Sequence, residues 1–213
     1  MPIGVNPVQV IANASASSAA KVVTIAASAA GNLLRVGLSS DGNATILSVT
    51  DNLGQTWVVA SAGGQKLHEV YCPNTLANVT TITITFTVAQ LSIWFASEDS
   101  GVALTNPLDK IVAQTTQSGV TTWTTSSTGV LAQAAELGYA YAYSVISGDQ
   151  FPGAGLGSGW AVVTGTGITN SSRNSGSGEC MTMIRKIYAA TTADTGSAGC
   201  VIGANPFNAM ATY

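Results

Sequence analysis

From Thr81 to Thr87 the chain alternates threonine with Ile82, Ile84 and Phe86 without a break. Successive side chains of a strand point to opposite faces, so this period of two puts the apolar residues on one side of a sheet and the hydroxyls on the other. A helix has no use for such a pattern, and helical periodicity is equally hard to find elsewhere. Short segments rich in Val, Ile, Thr, Trp and Tyr recur instead, separated by Gly, Asn, Asp and Ser clusters roughly every ten residues, which is the signature of an all-β sandwich or barrel. Strands are expected over 22–26, 33–38, 45–50, 56–60, 67–72, 80–87 and 91–96, and in a second series over 121–125, 138–145, 159–164, 180–189, 199–203 and 208–212.

The second series repeats the first. Leu34 and Leu137, Trp57 and Trp160, and Val59 and Val162 are each 103 residues apart. Beyond the Trp strand, Tyr71 finds its match in Tyr188, 117 residues on, so the second copy carries about fourteen extra residues, placed at 165–178. A repeat of this kind points to a duplicated β unit. The expected organisation is an extended N-terminal arm over 1–20, a first sandwich repeat over 21–106 and a second over 107–213. The joint at 101–110 lacks the Gly/Ser composition of a linker, which favours two halves packed as one jelly-roll-like body.

Charge is scarce. Only 8% of the residues are Asp, Glu, Lys or Arg, against roughly 25% in an ordinary soluble domain, and the net charge is -3. No cationic field is available for phosphates or anionic lipid, so neither nucleic acid nor membrane is an expected partner. The longest nearly uninterrupted apolar run, 137–146, is about half of the ~20 residues a spanning helix needs. The opening Met1-Pro2-Ile3-Gly4 has no basic and apolar leader pattern, which sets the expectation of a protein not exported by a signal peptide.

Catalytic and metal-binding arrangements are poorly supplied. His68 lies in a strand with Glu69 on the opposite face, so neither orients the other as a base. Glu98-Asp99 is the one adjacent acidic pair, expected as a solvated turn or cap. Asp41-Gly42-Asn43 and Asp51-Asn52 offer hard oxygens to calcium but are also common hairpin formers, and turn chemistry is the preferred reading. The glycines of 153–157 have no following helix to make a phosphate cradle. Cys72, Cys180 and Cys200 fit no zinc or redox spacing, and a Cys180–Cys200 disulfide remains open for an oxidising location. No metal, cofactor or catalytic residue is expected.

The surface reading is more positive. Isolated sheet proteins protect edges and faces with Lys and Glu, and this chain has few to use. Association in which buried surface replaces charge is the physical alternative. The arm carries Val5, Val8, Val10 and Ile11 among Asn, Ala and Ser, and suits addition to a sheet or to a partner. Trp57 and Trp160 hold equivalent positions, as core residues do. Trp123, set among Thr121, Thr122, Thr124 and Thr125, is the expected exposed or interface aromatic. Interface candidates are therefore Val5, Val8, Val10, Ile11 and Trp123.

Five segments together resemble a duplicated β-sandwich family of phage and bacterial genomes: Ala30-Gly31-Asn32-Leu33-Leu34, the stretch from Val49 to Trp57, Glu69-Val70-Tyr71, the 81–86 strand, and Asn106-Pro107-Leu108-Asp109. There, similar segments occur as an AGNLL strand, a TDSxGNTW turn, a VTVTF strand and an NPLD joint. The matched positions are turn and core residues, so the resemblance implies a fold and carries over no catalytic residue. Its phage members look like virion surface or accessory components. The expectation is a non-enzymatic virion protein, made in the host cytoplasm and released by lysis. It would be a capsid decoration or cement subunit that binds the phage major capsid protein and associates with itself, a trimer being favoured. One alternative is a glycan- or receptor-binding module of a tail fibre or cell surface, using Trp123, Trp160 and Arg173 with the 170–178 loop. The other is a jelly-roll shell protein.

Overall fold

A computed structural model describes residues 2–41, 44–60, 66–146, 150–169, 172–174, 178–201 and 206–213. Every regular element among them is a strand. In the first half these are β1 (Gln9–Thr24), β2 (Leu33–Ser39), β3 (Ile46–Asp51), β4 (Val58–Val59), β5 (Leu67–Cys72) and β6 (Thr81–Asp99). The second half has β7 (Lys110–Thr116), β8 (Thr122–Thr124), β9 (Leu137–Ser144), β10 (Ala161–Val162), β11 (Ser172–Asn174), β12 (Cys180–Ile187), β13 (Ser197–Gly199) and β14 (Phe207–Thr212). The expected all-β sandwich is what forms.

The two main sheets have one topology. The first runs β1-β6-β2-β5-β4 and the second β7-β14-β9-β12-β10, all antiparallel. A shared turn fixes their equivalence. Gly31 donates to Thr75 O, and Thr75 donates back to Asn32 O. In the second sheet Ala135 donates to Tyr188 O, and Tyr188 donates back to Glu136 O. Both Gly31 and Ala135 sit at positive φ, +81° and +61°, a conformation that comes easily to glycine and is uncommon for alanine.

This register corrects two of the expected landmarks. Leu137 matches Leu33 rather than Leu34, because Leu33 and Leu137 both enter the core between the sheets while Leu34 faces the other way. Tyr188 is not the partner of Tyr71. Arg35 pairs with Tyr71 as Tyr139 pairs with Arg185, so the counterpart of Tyr71 is Arg185. The offset after the Trp strand is therefore 114 (185 − 71) rather than 117, and the added stretch is eleven residues (114 − 103) rather than fourteen. A one-residue slip in a strand exchanges its faces, which is why residue identity alone misled here.

Three apolar clusters make the body. The central one lies between the sheets and draws on both halves, with Leu33, Tyr71, Ile93 and Phe95 meeting Leu137, Tyr139, Tyr141, Met181 and Met183. A second, behind the first sheet, is enclosed because β1 and β6 travel together around a bend. The far ends of these strands form another layer, in which β3 pairs with residues 82–86 of β6 and residues 20–24 of β1 pair on its other side. The register slips in β1 between Ser15 and Ala20 mark that bend, a common device for turning a strand. The third cluster, behind the second sheet, is covered by the β8–β13 pair and its loops.

Of the two courses open to the N-terminal arm, addition to a sheet is the one seen. From Gln9 it is an edge strand of its own sheet, and an edge without charges needs cover. The inserted stretch supplies it. Ala12 donates to Thr166 O, Thr166 donates to Val10 O, and β11 ties the same insertion to β12. Strand β7, which the sequence reading missed, is the second half's version of β1. Gly42 and Asn43 of the 41–43 turn, and much of the 170–178 loop, lie outside the described residues.

Candidate functional site

Arg35, fully buried on β2, points into the central core. Its Nε donates to Glu69 Oε1 at 2.7 Å and its Nη2 to Oε2 at 2.6 Å, a two-pronged pair, while Nη1 reaches Ser97 Oγ at 3.2 Å. The hydroxyls of Tyr141 and Tyr213 also donate to Glu69. Burial works against the Arg35 charge, but the Glu69 carboxylate more than compensates and holds the guanidinium protonated. Arg35 also lies 3.9 Å from the centre of the Tyr139 ring, a cation–π contact in a dry setting.

A second ion pair stands beside the first. Arg185 Nη2 donates to Asp99 Oδ1 at 3.3 Å, and Asp99 also accepts from Tyr139 OH at 2.9 Å and Ser97 Oγ at 3.1 Å. Burial raises the Asp99 carboxyl and the Tyr139 phenol. Two cations and two carboxylates thus neutralise one another between the sheets. The network ties the two sheets together and fixes the facing tyrosines. Arg185 also reaches out of it, Nη1 donating to the carbonyl of Val5 and Nη2 to that of Gly4, both at 2.7 Å.

The remaining acidic candidates are structural as well. Glu98 and Asp99 are both buried rather than a solvated turn, because Glu98 fastens the turn before β2. It accepts from Ala29 N at 2.8 Å, Asn32 Nδ2 at 2.6 Å and Gln9 Nε2 at 2.6 Å. Asp51 organises its own turn. It takes Leu53 N and Gln55 N on Oδ1, and Gln55 Nε2 and Trp57 Nε1 on Oδ2, at 2.8 to 3.2 Å. Burial pushes its carboxyl up, and those four donors pull it below the ordinary range. His68 is buried edge-on to Phe86, with its Nε2 3.2 Å from Ser40 Oγ, while Glu69 faces the opposite core. Cys72, Cys180 and Cys200 are all buried and in the thiol form, outside any disulfide. Burial pushes the Cys72 thiol up to about 11. Among the described residues no three His, Cys, Asp or Glu side chains gather to hold a metal.

Several surface candidates are corrected. Trp123 is 0% exposed, not an exposed or interface aromatic; it pairs opposite Ala198 and fills the outer core of the second half. The threonines that made it look isolated are strand neighbours, and its apolar company comes from distant segments. Trp160 is buried too and donates to Thr195 O at 3.1 Å, so neither ring is free to stack on a sugar. Arg173 is half-buried and reaches Asn13 Oδ1 at 3.2 Å. Val10 belongs to the central core and Ile11 packs partly against the first half's own cluster. Val5 and Val8 stay exposed, at 81% and 54%.

What the sequence reading did not single out is the outer layer of the first half. Its strands show Thr24, Ser48, Thr50 and Thr87 to solvent beside Val22 and Leu47, which are 57% and 65% exposed. The charged residues of these three segments are Lys21 and Asp51. Lys21 is buried and donates to Ala16 O and Gln90 O, and the Asp51 carboxylate is taken up by its turn. The face therefore presents hydroxyls and methyls without a free charge. The alternating threonines of 81–87 were the available signal.

The chain matches no family model, no curated protein and no solved structure.

Proposed function

We propose that this chain is a non-enzymatic structural protein of a phage virion, a capsid decoration or cement subunit that seats on the outside of the shell, bridges major capsid protein subunits and associates with itself. The observation that carries this reading is the uncharged outer layer of β3, β6 and β1. Such a face gains nothing from electrostatic steering but loses little on burial, since hydroxyls keep hydrogen-bonding partners and methyls leave water. The charged chemistry is spent inward, where Arg35, Glu69, Asp99 and Arg185 join the two sheets. A sandwich body with few charges suits a part whose work is coverage. The β-sandwich class and the resemblance to phage virion components point the same way. The glycan-binding alternative loses its aromatic platforms with Trp123 and Trp160 in the core.

The test is particle stability. Virions stripped of this protein are expected to lose their contents at lower temperature or lower salt than intact ones, with re-addition restoring resistance. Equal sensitivity of stripped and intact particles removes the cementing role. The copy number per major capsid subunit, by mass spectrometry of purified particles, separates a decoration protein from a shell protein or a fibre tip.

A further inference from the structure

The N-terminal segment sits in a seat that grips mainly its main chain, with Ile3 packed against the central core. Gly4 N donates to Ser100 O at 3.1 Å and Val8 N to Glu98 O at 2.7 Å. The two Nη atoms of Arg185 take the carbonyls of Val5 and Gly4, both at 2.7 Å. The floor is Gly101, at φ +78°, where a Cβ would lie 2.0 Å from Pro2 O. Arg185 is held in place from behind by Asp99 and by Tyr139 OH, so the seat is built from the folded core and does not depend on the segment for its shape. Meanwhile Val5 and Val8 remain mostly in water, and beside Val5, Asn6 and Pro7 an open cleft of about 270 Å³ is lined by Ala161, Val163, Ile187 and Arg185. The segment is thus held by four main-chain contacts and the packing of Ile3, a light hold that makes it the low-stability end of a strand well anchored from Gln9 onward.

Resting on the self-association in the proposed function, we infer that this seat binds the same segment, residues 2–8, of a second copy, so that neighbouring subunits are linked by exchanged N-terminal segments. An identical segment makes identical contacts, and exchange of one element between copies costs little beyond association itself. Within one chain the tether gives the resident segment a high effective concentration. Crowding of copies on a lattice supplies the competing one. Only the half carrying Arg185 has such a seat, since the counterpart of Arg185 is Tyr71, so each subunit receives one segment and gives one. Reciprocal exchange closes a two-fold dimer, and one-way exchange builds rings or chains of subunits.

Two variants that each add one cysteine to the three buried native ones, Gly4→Cys and Ser100→Cys, test this when mixed and oxidised at high protein concentration. A Cβ at position 4 lies 2.9 Å from Ser100 Oγ, close enough for the ~3.8 Å Cβ–Cβ spacing of a disulfide, and neither variant can close the bond within one chain. A covalent heterodimer is expected in clear excess over the yield with the exposed Val130→Cys in place of Ser100→Cys; equal yields overturn the inference. Gly101→Ala is the second measurement. It is expected to shift the mass found by light scattering toward monomer, whereas Gly54→Ala, at φ +71° with open space around it, leaves the mass unchanged. An oligomer that persists in Gly101→Ala also overturns the exchange while leaving self-association intact. A wild-type protein that stays monomeric at every concentration instead overturns the self-association itself and the exchange with it.

Discussion

The guanidinium of Arg35 lies 3.9 Å over the ring of Tyr139, and the two residues occupy the same position in the two sheets: each is two residues beyond the matched Leu33 and Leu137. The equivalent faces of both halves are turned toward each other, as the subunits of a two-fold dimer are. The contact between counterparts has therefore become asymmetric, with a cation on one side and an aromatic on the other. The same divergence shows at the turns. Ala29 N and Gln133 N are equivalent donors, and each meets a carboxylate, from Glu98 in the first half and from Glu136 in the second. The acceptor stays in place while the residue supplying it changes.

Removing the Arg35 charge is expected to leave Glu69 buried and unpaired. Arg35→Met should cost about 3–5 kcal/mol, the usual penalty for breaking a buried ion pair from one side. Arg35→Met combined with Glu69→Gln should recover much of that loss, because the uncompensated charge is gone. Urea or guanidinium midpoints of the two variants check both statements. A double variant no more stable than the single one would mean the loss lies in packing against Tyr139 and Tyr141.

Asp51→Asn is expected to destabilise by about 1 kcal/mol, the net worth of a part-buried hydrogen bond. The new amide nitrogen would face Gln55 Nε2 or Trp57 Nε1, both of which donate to Oδ2 now. Because the folded carboxyl is held below its usual range, its contribution is present above the ordinary Asp range and disappears as pH falls through the lowered value. Denaturation of the wild type and of Asp51→Asn should therefore converge in strong acid.

Much of the fold was legible because strands announce themselves by period. The threonine alternation of 81–87 and the Trp57/Trp160 repeat needed no tertiary information. The parts that stayed hidden depend on partners far away in sequence. Trp123 looked stranded among threonines, yet its surroundings come from Leu131, Phe151 and Ala198. Strand β7 has only Ile111 and Val112 to mark it, because its pattern is completed by pairing with β14. The Arg35–Glu69 and Arg185–Asp99 pairs were invisible for the same reason. Nothing in a linear sequence says that a lone arginine in an apolar strand meets a carboxylate from a neighbouring strand.

Glu136 gives a pH dependence of opposite sign to that of Asp51. Burial raises its carboxyl, and the nearby Asp109 carboxylate raises it further. The folded state then binds this proton more tightly than the unfolded chain does, so stability falls as pH rises from the ordinary Glu value of about 4.3 through the raised one, and is flat above it. Glu136→Gln removes that slope and is expected to be the more stable protein at neutral pH. Melting of both proteins from pH 4 to pH 8 decides the matter; parallel curves would show that the Glu136 proton is not linked to folding.

Val22 and Leu47 test the uncharged outer face. Both are largely exposed in the isolated chain, so Val22→Asp with Leu47→Asp should change its stability by no more than about 0.5 kcal/mol per site, as is usual for surface positions. If the face is covered on the capsid, each substitution buries an unpaired carboxylate in an interface that offers no cation from this side. Contacts of that kind cost more than about 1 kcal/mol each when they matter, which for the pair amounts to a weakening of roughly tenfold or more. Co-sedimentation with stripped particles should show that loss, while the oligomer mass in solution, set by the separate N-terminal seat, stays as in the wild type. Full binding by the doubly charged variant would place the capsid contact elsewhere on the molecule. The exposed side of the second half, around Val130 and Val201, would then be the surface to charge next.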